Sequence, residues 1–293
     1  MRMRNPFKFS RPQGPGFGIN KSYYISVLAG VATLPPIAKI VNPKGSGGAL
    51  EGFGVPLVEG TEKELLETPM SRGQYALATL DRKTVLRLRV MNADEAGFSP
   101  EAIARSGLAN RLQPELLARL RSMWHLCQFT FESHDPEVYS SLDFVLACAQ
   151  RLGNLTEGVI ADPISEQYLL PSEVFQLPRV DAKVDAREHV TVHFRQDSTQ
   201  PESGTWHAYT RGLFKFVQPE FELLGVDSAD QKRVAQFLLG AAQGVLMGHL
   251  VSNGSQIGPF EARLGGLNRG LWEGIPVMEL LPPTKSKVAE LIF

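Results

Sequence analysis

Residues 125–163 read HLCQFTFESHDPEVYSSLDFVLACAQRLGNLTEGVIADP, a strand, a long helix and a further strand in sequence. It opens on an alternation: Cys127, Phe129 and Phe131 share one side, Gln128 and Thr130 the other. That is the period of a half-buried strand. Asp135 and Pro136 then supply an N-cap and a first-turn proline. Val138, Leu142, Val145, Leu146, Ala149 and Leu152 follow at helical spacing. The same spacing puts Gly153 just past the helix, in the left-handed position that ends many helices. Val159–Ala161 and Gln167–Leu170 resume as strands around the turn Asp162-Pro163. The order strand–helix–strand lays helices over one face of a sheet.

Working upstream, Thr84–Met91 alternates again, with Val85, Arg87, Arg89 and Met91 on one face and Leu86, Leu88 and Val90 on the other. Gln74–Leu80 pairs with it across Asp81-Arg82-Lys83 as a hairpin. Ser99-Pro100-Glu101 and Gln113-Pro114-Glu115 each open a helix. Ser22–Ala29 is a strand, and residues 42–60 form a glycine-dense loop. That loop lacks the G-x-x-x-x-G-K-[ST] spacing of a phosphate cradle, because Lys44 precedes the glycines. Downstream, residues 178–188 are charged and read as a linker. His189–Phe194 and Trp206–Val217 read as strands. Ser228 to Gln231 forms a capping box ahead of the strongest helix, with its stripe of Val234, Phe237, Leu238, Ala241, Ala242, Val245 and Leu246. Ile257–Leu264 and Pro276–Leu281 close the unit. The fold class is therefore α+β, in two units, each a mainly antiparallel sheet with helices packed on one face. The boundaries are a flexible basic arm over 1–20, a domain over 21–178, a linker over 179–188 and a second domain over 189–293.

Composition sets the class. The chain has 293 residues, 43% hydrophobic and 21% charged, with a net charge of −1. Such a chain is neither disordered nor fibrous. Charge is uneven: seven of the 30 basic residues and none of the 31 acidic ones lie in residues 1–50. Arg2, Arg4, Lys8, Arg11 and Lys21 in and beside the arm are the candidates for nucleic acid or phosphate, or they fold back on the acidic body. A basic arm on an acidic body differs from the folded basic face of a dedicated nucleic-acid-binding domain. Cys127 and Cys148 sit in apolar surroundings without CxxC spacing, which predicts a reducing, cytoplasmic compartment. The apolar Tyr23–Leu34 segment has no cleavage-site pattern after it and is not read as a signal peptide. No apolar run reaches 18 residues, so no membrane span is expected.

No motif announces catalysis. His189 and His193, four apart on a strand, would stand about 13 Å apart and cannot share one metal. Ser133-His134-Asp135 holds triad residue types in a row, but a triad needs side chains converging from separate segments. His125 and Cys127 share a strand face and are a conceivable nucleophile pair, or a core thiol beside a satisfied histidine. Asp143, Glu157 and Asp162 have no acid–base spacing. No metal and no cofactor are expected. The strand bearing Trp206, His207, Tyr209 and Arg211 carries the residue types that dominate protein interfaces. Asn268, Arg269 and Trp272, on a glycine-rich loop, extend that candidate surface. The alternative for Arg211 is a pairing with an acidic neighbour.

The run His207-Ala208-Tyr209-Thr210-Arg211-Gly212-Leu213, then Phe216, Pro219, Glu220, Phe221 and Glu222, resembles the opening of a bacterial C-terminal domain of unknown function. In that pattern a threonine-x-glycine-leucine strand precedes an acidic, apolar strand and a long helix, here Ala229–His249. The turn Asn253-Gly254 and the closing Gln256-Ile257-Gly258 also match, as does Thr156 to Pro163 upstream. This chain departs from it at Val217-Gln218, where a glycine and a small or basic residue are usual. The resemblance spans residues 125–282 and implies an accessory or immunity-like protein that binds rather than turns over, with no catalytic residues to carry across. The first expectation is therefore a non-catalytic bacterial interaction or accessory protein, immunity-like or stress-related, with a protein partner; a homodimer is compatible with it. A hydrolase with a site between the two domains, and a nucleic-acid-binding protein using the arm, are the alternatives. For the first, Arg211→Ala is expected to abolish partner capture at an unchanged melting temperature. A large loss of stability instead marks Arg211 as structural.

Overall fold

The structure is a computed structural model and describes residues 18–41, 57–59, 67–79, 81–97, 99–105, 112–133, 138–174, 184–197, 203–265, 274–283 and 288–292. It is α+β, with two mainly antiparallel sheets and helices packed on them. The first sheet takes its strands from β1 (Tyr24–Ala29), β2 (Leu57–Glu59), β3 (Gly73–Ala78), β4 (Val85–Asn92), β5 (His125–Ser133), β6 (Val159–Asp162) and β7 (Gln167–Leu169), in the spatial order β2-β3-β4-β5-β1-β6-β7. The second takes β8 (Thr191–Gln196), β9 (Trp206–Arg211), β10 (Glu220–Val226), β11 (Gln256–Ile257), β12 (Phe260–Leu264) and β13 (Val277–Leu281), in the order β11-β12-β13-β10-β9-β8. Among the described pairings, only β10 with β13 is parallel.

The helices are α1 (Ile37–Val41), α2 (Pro100–Arg105), α3 (Pro114–Arg121), α4 (Val138–Thr156), α5 (Ala186–His189), α6 (Gln231–Leu246) and α7 (Val288–Leu291). The alternating strands bury Ile25, Val27, Leu86, Leu88, Cys127 and Phe129 against Leu142, Val145, Ala149 and Leu152 of α4. In the second sheet Ala208, Phe221, Leu223, Phe260 and Met278 meet Val234, Leu238, Ala242 and Val245 of α6. These residues form one continuous apolar cluster, so the two sheets share a core. The short helix α3 lies on the opposite face of the first sheet. There Leu116 and Leu120 cover Leu28, Leu126, Val159 and Ala161 in a smaller cluster.

Several local expectations change. Gly153 lies inside α4 rather than after it. A Cβ there would sit 2.7 Å from Cγ of Pro171, so the glycine serves close packing. The left-handed residue that ends the helix is Glu157, at φ 49°. Ser228 does not cap α6: Ser228–Asp230 is a 3-10 turn, Asp230 takes the N-cap position without a side-chain cap, and it pairs with Arg233 instead. His189 ends α5 and packs edge-on against Phe216, so His189 and His193 share no strand. Within the expected linker, Val184 and Ala186 are buried. Gln243 of α6 donates to the Val184 carbonyl at 3.0 Å and accepts from the Ala186 amide at 2.8 Å. The strand from Trp206 stops at Arg211, and Leu213–Phe216 forms a 3-10 turn. Gly212 makes that break possible: its φ is 129°, and a Cβ would lie 2.0 Å from the His189 carbonyl oxygen.

Candidate functional site

The strand expected to present an interface is largely internal. Its period-two face carries His207, Tyr209 and Arg211, and of these His207 is 0% and Arg211 4% exposed. His207 Nδ1 accepts from Nε of Arg195 at 3.1 Å. On its other side Nε2 lies 3.0 Å from Oε2 of Glu222, off the line needed for a hydrogen bond. Register places Glu222 directly beside Glu279, which faces Arg263 at 3.5 Å. Tyr209 lies between the rings of His193 and His207, with centroids 5.5 and 5.2 Å away. Trp206 and Tyr209 remain half-buried. The open polar-aromatic surface read from the sequence is thus overturned for His207 and Arg211. An alternating polar face predicts solvent only if nothing packs on it.

Arg211 instead bridges the sheets. It pairs with Glu166, from the turn between β6 and β7. Burial pulls its guanidinium down to about 10, and the Glu166 carboxylate opposes that shift. Beside it, Nζ of Lys215 donates to Oδ2 of Asp162 at 2.6 Å, with the lysine side chain 1% exposed. The Tyr23 hydroxyl donates to the same oxygen at 3.3 Å. Burial and the Asp162 charge hold the Tyr23 phenol well above its usual pKa. Thr191 Oγ1 donates to the Ser165 carbonyl at 2.5 Å, and the Asn20 amide donates to the Lys215 carbonyl at 2.6 Å. Glu220 organises the adjoining turn by accepting from the amides of Gly212 and Phe214 and from Thr210 Oγ1. Burial raises its pKa against those donors. Glu166 and Asp162 of the first unit are each matched to a cation of the second, so the residues between the units form a joint.

The thiol of the candidate Cys127–His125 pair is buried. Cys127 and Cys148 are free and buried, and burial pushes the Cys127 thiol up to about 12 and raises Cys148 as well. A thiol in that state supplies no thiolate at neutral pH. His125 Nε2 sits 3.0 Å from the Ala32 carbonyl oxygen. Among the described residues no three His, Cys, Asp or Glu side chains group to hold a metal ion, and no helix is long and apolar enough to cross a membrane. Lys21 is exposed. Arg2, Arg4, Lys8, Arg11, Asn268, Arg269, Trp272 and the Ser133-His134-Asp135 side chains lie outside the described residues.

An open site lies on the first sheet. The α3 helix covers only part of the outer face, the row from Leu126 through Leu28 to Val159. Next to it runs the row Gln74, Arg89, Gln128 and Ser26 across β3, β4, β5 and β1. A cleft of about 510 Å³ opens there, lined by Arg72, Gly73, Gln74, Arg89, Val90, Met91 and Glu95. Tyr75 fixes its corner, because its hydroxyl accepts from the Ser71 amide at 3.0 Å and donates to the Ser71 carbonyl at 3.1 Å. Arg72 pairs with Glu95 at 3.0 Å, both in solvent. Arg89 is exposed and makes no ion pair or side-chain hydrogen bond among the described residues. Arg87, one repeat along the strand, pairs with Glu132.

No family model, curated protein or solved structure matches the chain. The functional reading therefore rests on its own residues. The alternation of Thr84–Met91 already placed Arg87 and Arg89 opposite the core. The missing signal was Arg72, which only the β3–β4 register and the turn after β4 bring to the same cleft.

Proposed function

We propose that the chain is a non-catalytic interaction protein, of the accessory or immunity-like kind that residues 125–282 resemble, and that it takes a protein partner on the outer face of its first sheet. The observation that carries this reading is the half-covered face. Where α3 ends, Arg89 and Gln74 stand exposed, and Arg87, Gln128, Thr130 and Tyr24 are half-buried around them. A polar, partly exposed β-surface with arginine and tyrosine offers the residue types that interfaces use. The buried thiols and matched junction charges speak against turnover at the positions that sequence offered for it.

The test is a photo-crosslinking amino acid placed at Gln74, beside a control at exposed Lys232 of α6, in the intact chain mixed with native lysate. One protein crosslinked from position 74 and absent from position 232 is expected. Equal labelling from both positions, or none from either, contradicts the reading.

A further inference from the structure

Resting on that reading, we infer that the cleft between β3, β4 and the turn after β4 is a carboxylate-binding subsite, which receives an acidic side chain of an extended segment of the partner. Its parts match that ligand. Arg89 is an exposed guanidinium, unpaired among the described residues, and this group forms two parallel hydrogen bonds to a planar carboxylate. Gln74 stands directly across from Arg89 in the β3–β4 register, with a free side-chain amide as a further donor. Arg72 lines the same cleft but is occupied by Glu95, a carboxylate supplied by the chain itself. The Arg72–Glu95 contact is an internal copy of the interaction proposed for Arg89. It also makes Glu95 a resident competitor, because an incoming acid gains a second guanidinium only when Glu95 yields it.

The charge pattern favours a discrete acidic side chain over a polyphosphate. Nucleic acid is held by many cations acting along a backbone. Among the described residues, Arg89 stands without a counter-ion between two neutralised arginines, Arg72 by Glu95 and Arg87 by Glu132. Those two acids repel a continuous line of phosphates and tolerate a single carboxylate placed between them. An extended segment suits the site, since the cleft is lined by the consecutive residues 72–74 and 89–91 of two neighbouring chain segments and its volume of about 510 Å³ holds a side chain with its flanking backbone.

The experiment is fluorescence anisotropy on the full chain at low salt. The probes are a labelled peptide of alternating glutamate and serine, the same peptide with glutamine for glutamate, and labelled oligothymidylate. The glutamate peptide is expected to bind and the glutamine peptide to bind at least about tenfold more weakly, the scale of a charge-assisted bidentate contact. Arg89→Gln is expected to weaken the glutamate peptide by the same factor. Arg89→Lys, which keeps the charge without the fork, falls between. Glu95→Gln is expected to tighten binding severalfold by releasing Arg72, and Arg89→Lys, which leaves the net charge unchanged, is the variant that separates loss of the fork from general charge attraction. Melting temperatures of all variants check that each is folded. An unchanged affinity in Arg89→Gln overturns the inference, as does oligothymidylate binding more tightly than the peptide and losing affinity in the same variant. If the crosslinked partner is still captured by Arg89→Gln at wild-type yield, the subsite is wrong and the interaction surface stands. If no partner crosslinks to any variant or to wild type, the surface itself fails.

Discussion

The joint between the sheets and the cleft on the first sheet are made of the same chemistry, arginine or lysine against a carboxylate, and they differ in burial. Lys215 and Asp162 have side chains 1% and 7% exposed, whereas Arg72 and Glu95 stand 71% and 40% exposed. In the joint each charge has left water, so each depends on its partner, and removing one strands the other. In the cleft water solvates both partners, the pair contributes little to stability, and either guanidinium can exchange its partner. Charge type alone does not separate a structural residue from a binding one. Accessibility does.

The largest effect is expected at Lys215. Replacing it with Met leaves Asp162 charged and buried, and a loss of ~3–5 kcal/mol in urea-unfolding free energy is expected. Adding Asp162→Asn removes the stranded charge while keeping an acceptor for the Ile164 and Ser165 amides, and is expected to restore part of the loss. A small effect of the single substitution shows that water reaches the joint.

Tyr23 sharpens the same side through pH. Its phenol keeps its proton in the folded chain above the usual pKa of 10.0. The unfolded chain therefore releases that proton first, and the contribution is intact below pH ~10 and lost as pH rises beyond it. Tyr23→Phe forfeits about 1 kcal/mol at neutral pH with the hydrogen bond to Asp162. The deficit relative to wild type is expected to shrink between pH 9 and 11 in parallel unfolding curves. A deficit independent of pH removes the phenol from the account. Arg211, lowered to about 10 by burial, acts in the opposite sense over the same range, so only the difference between the two proteins isolates the tyrosine.

A smaller effect is expected at Val217, which closes the turn carrying Lys215. It is a β-branched residue at φ 58°, with its side chain in solvent. A left-handed conformation costs an L-residue roughly 1–2 kcal/mol, and glycine gives back part of that gain as unfolded-state entropy. Val217→Gly is expected to raise unfolding free energy by a few tenths of a kcal/mol up to about 1 kcal/mol. A loss of stability contradicts the strain. This is also the position at which the resembled pattern carries a glycine.

The fold was legible wherever polarity alternated or recurred at helical spacing against a single core. Thr84–Met91 and the stripe of α6 are such segments, and their buried residues are the ones the pattern names. Glycine was ambiguous. At Gly153 the residue serves packing against Pro171, a long-range contact that carries no local signature, and so the helix ran three residues past it. The capping box at Ser228 failed because the first turn tightened to 3-10 geometry and Arg233 took the Asp230 carboxylate. The site was less legible than the fold. Arg211 and His207 share a polar strand face, and only the tertiary arrangement reveals that Glu166 and Glu222 wait opposite them. Arg89 carries the same polar signal and stays in solvent.

Those two arginines offer the most direct test of the central claim, that burial divides structural charges from binding ones. The measurement is the melting temperature of wild type, Arg211→Met and Arg89→Gln, each with and without the glutamate–serine peptide in excess. Arg211→Met is expected to melt several degrees lower and keep the peptide-induced rise. Arg89→Gln is expected to melt with wild type and lose that rise. The reverse assignment, or a loss of both properties in both variants, contradicts the division.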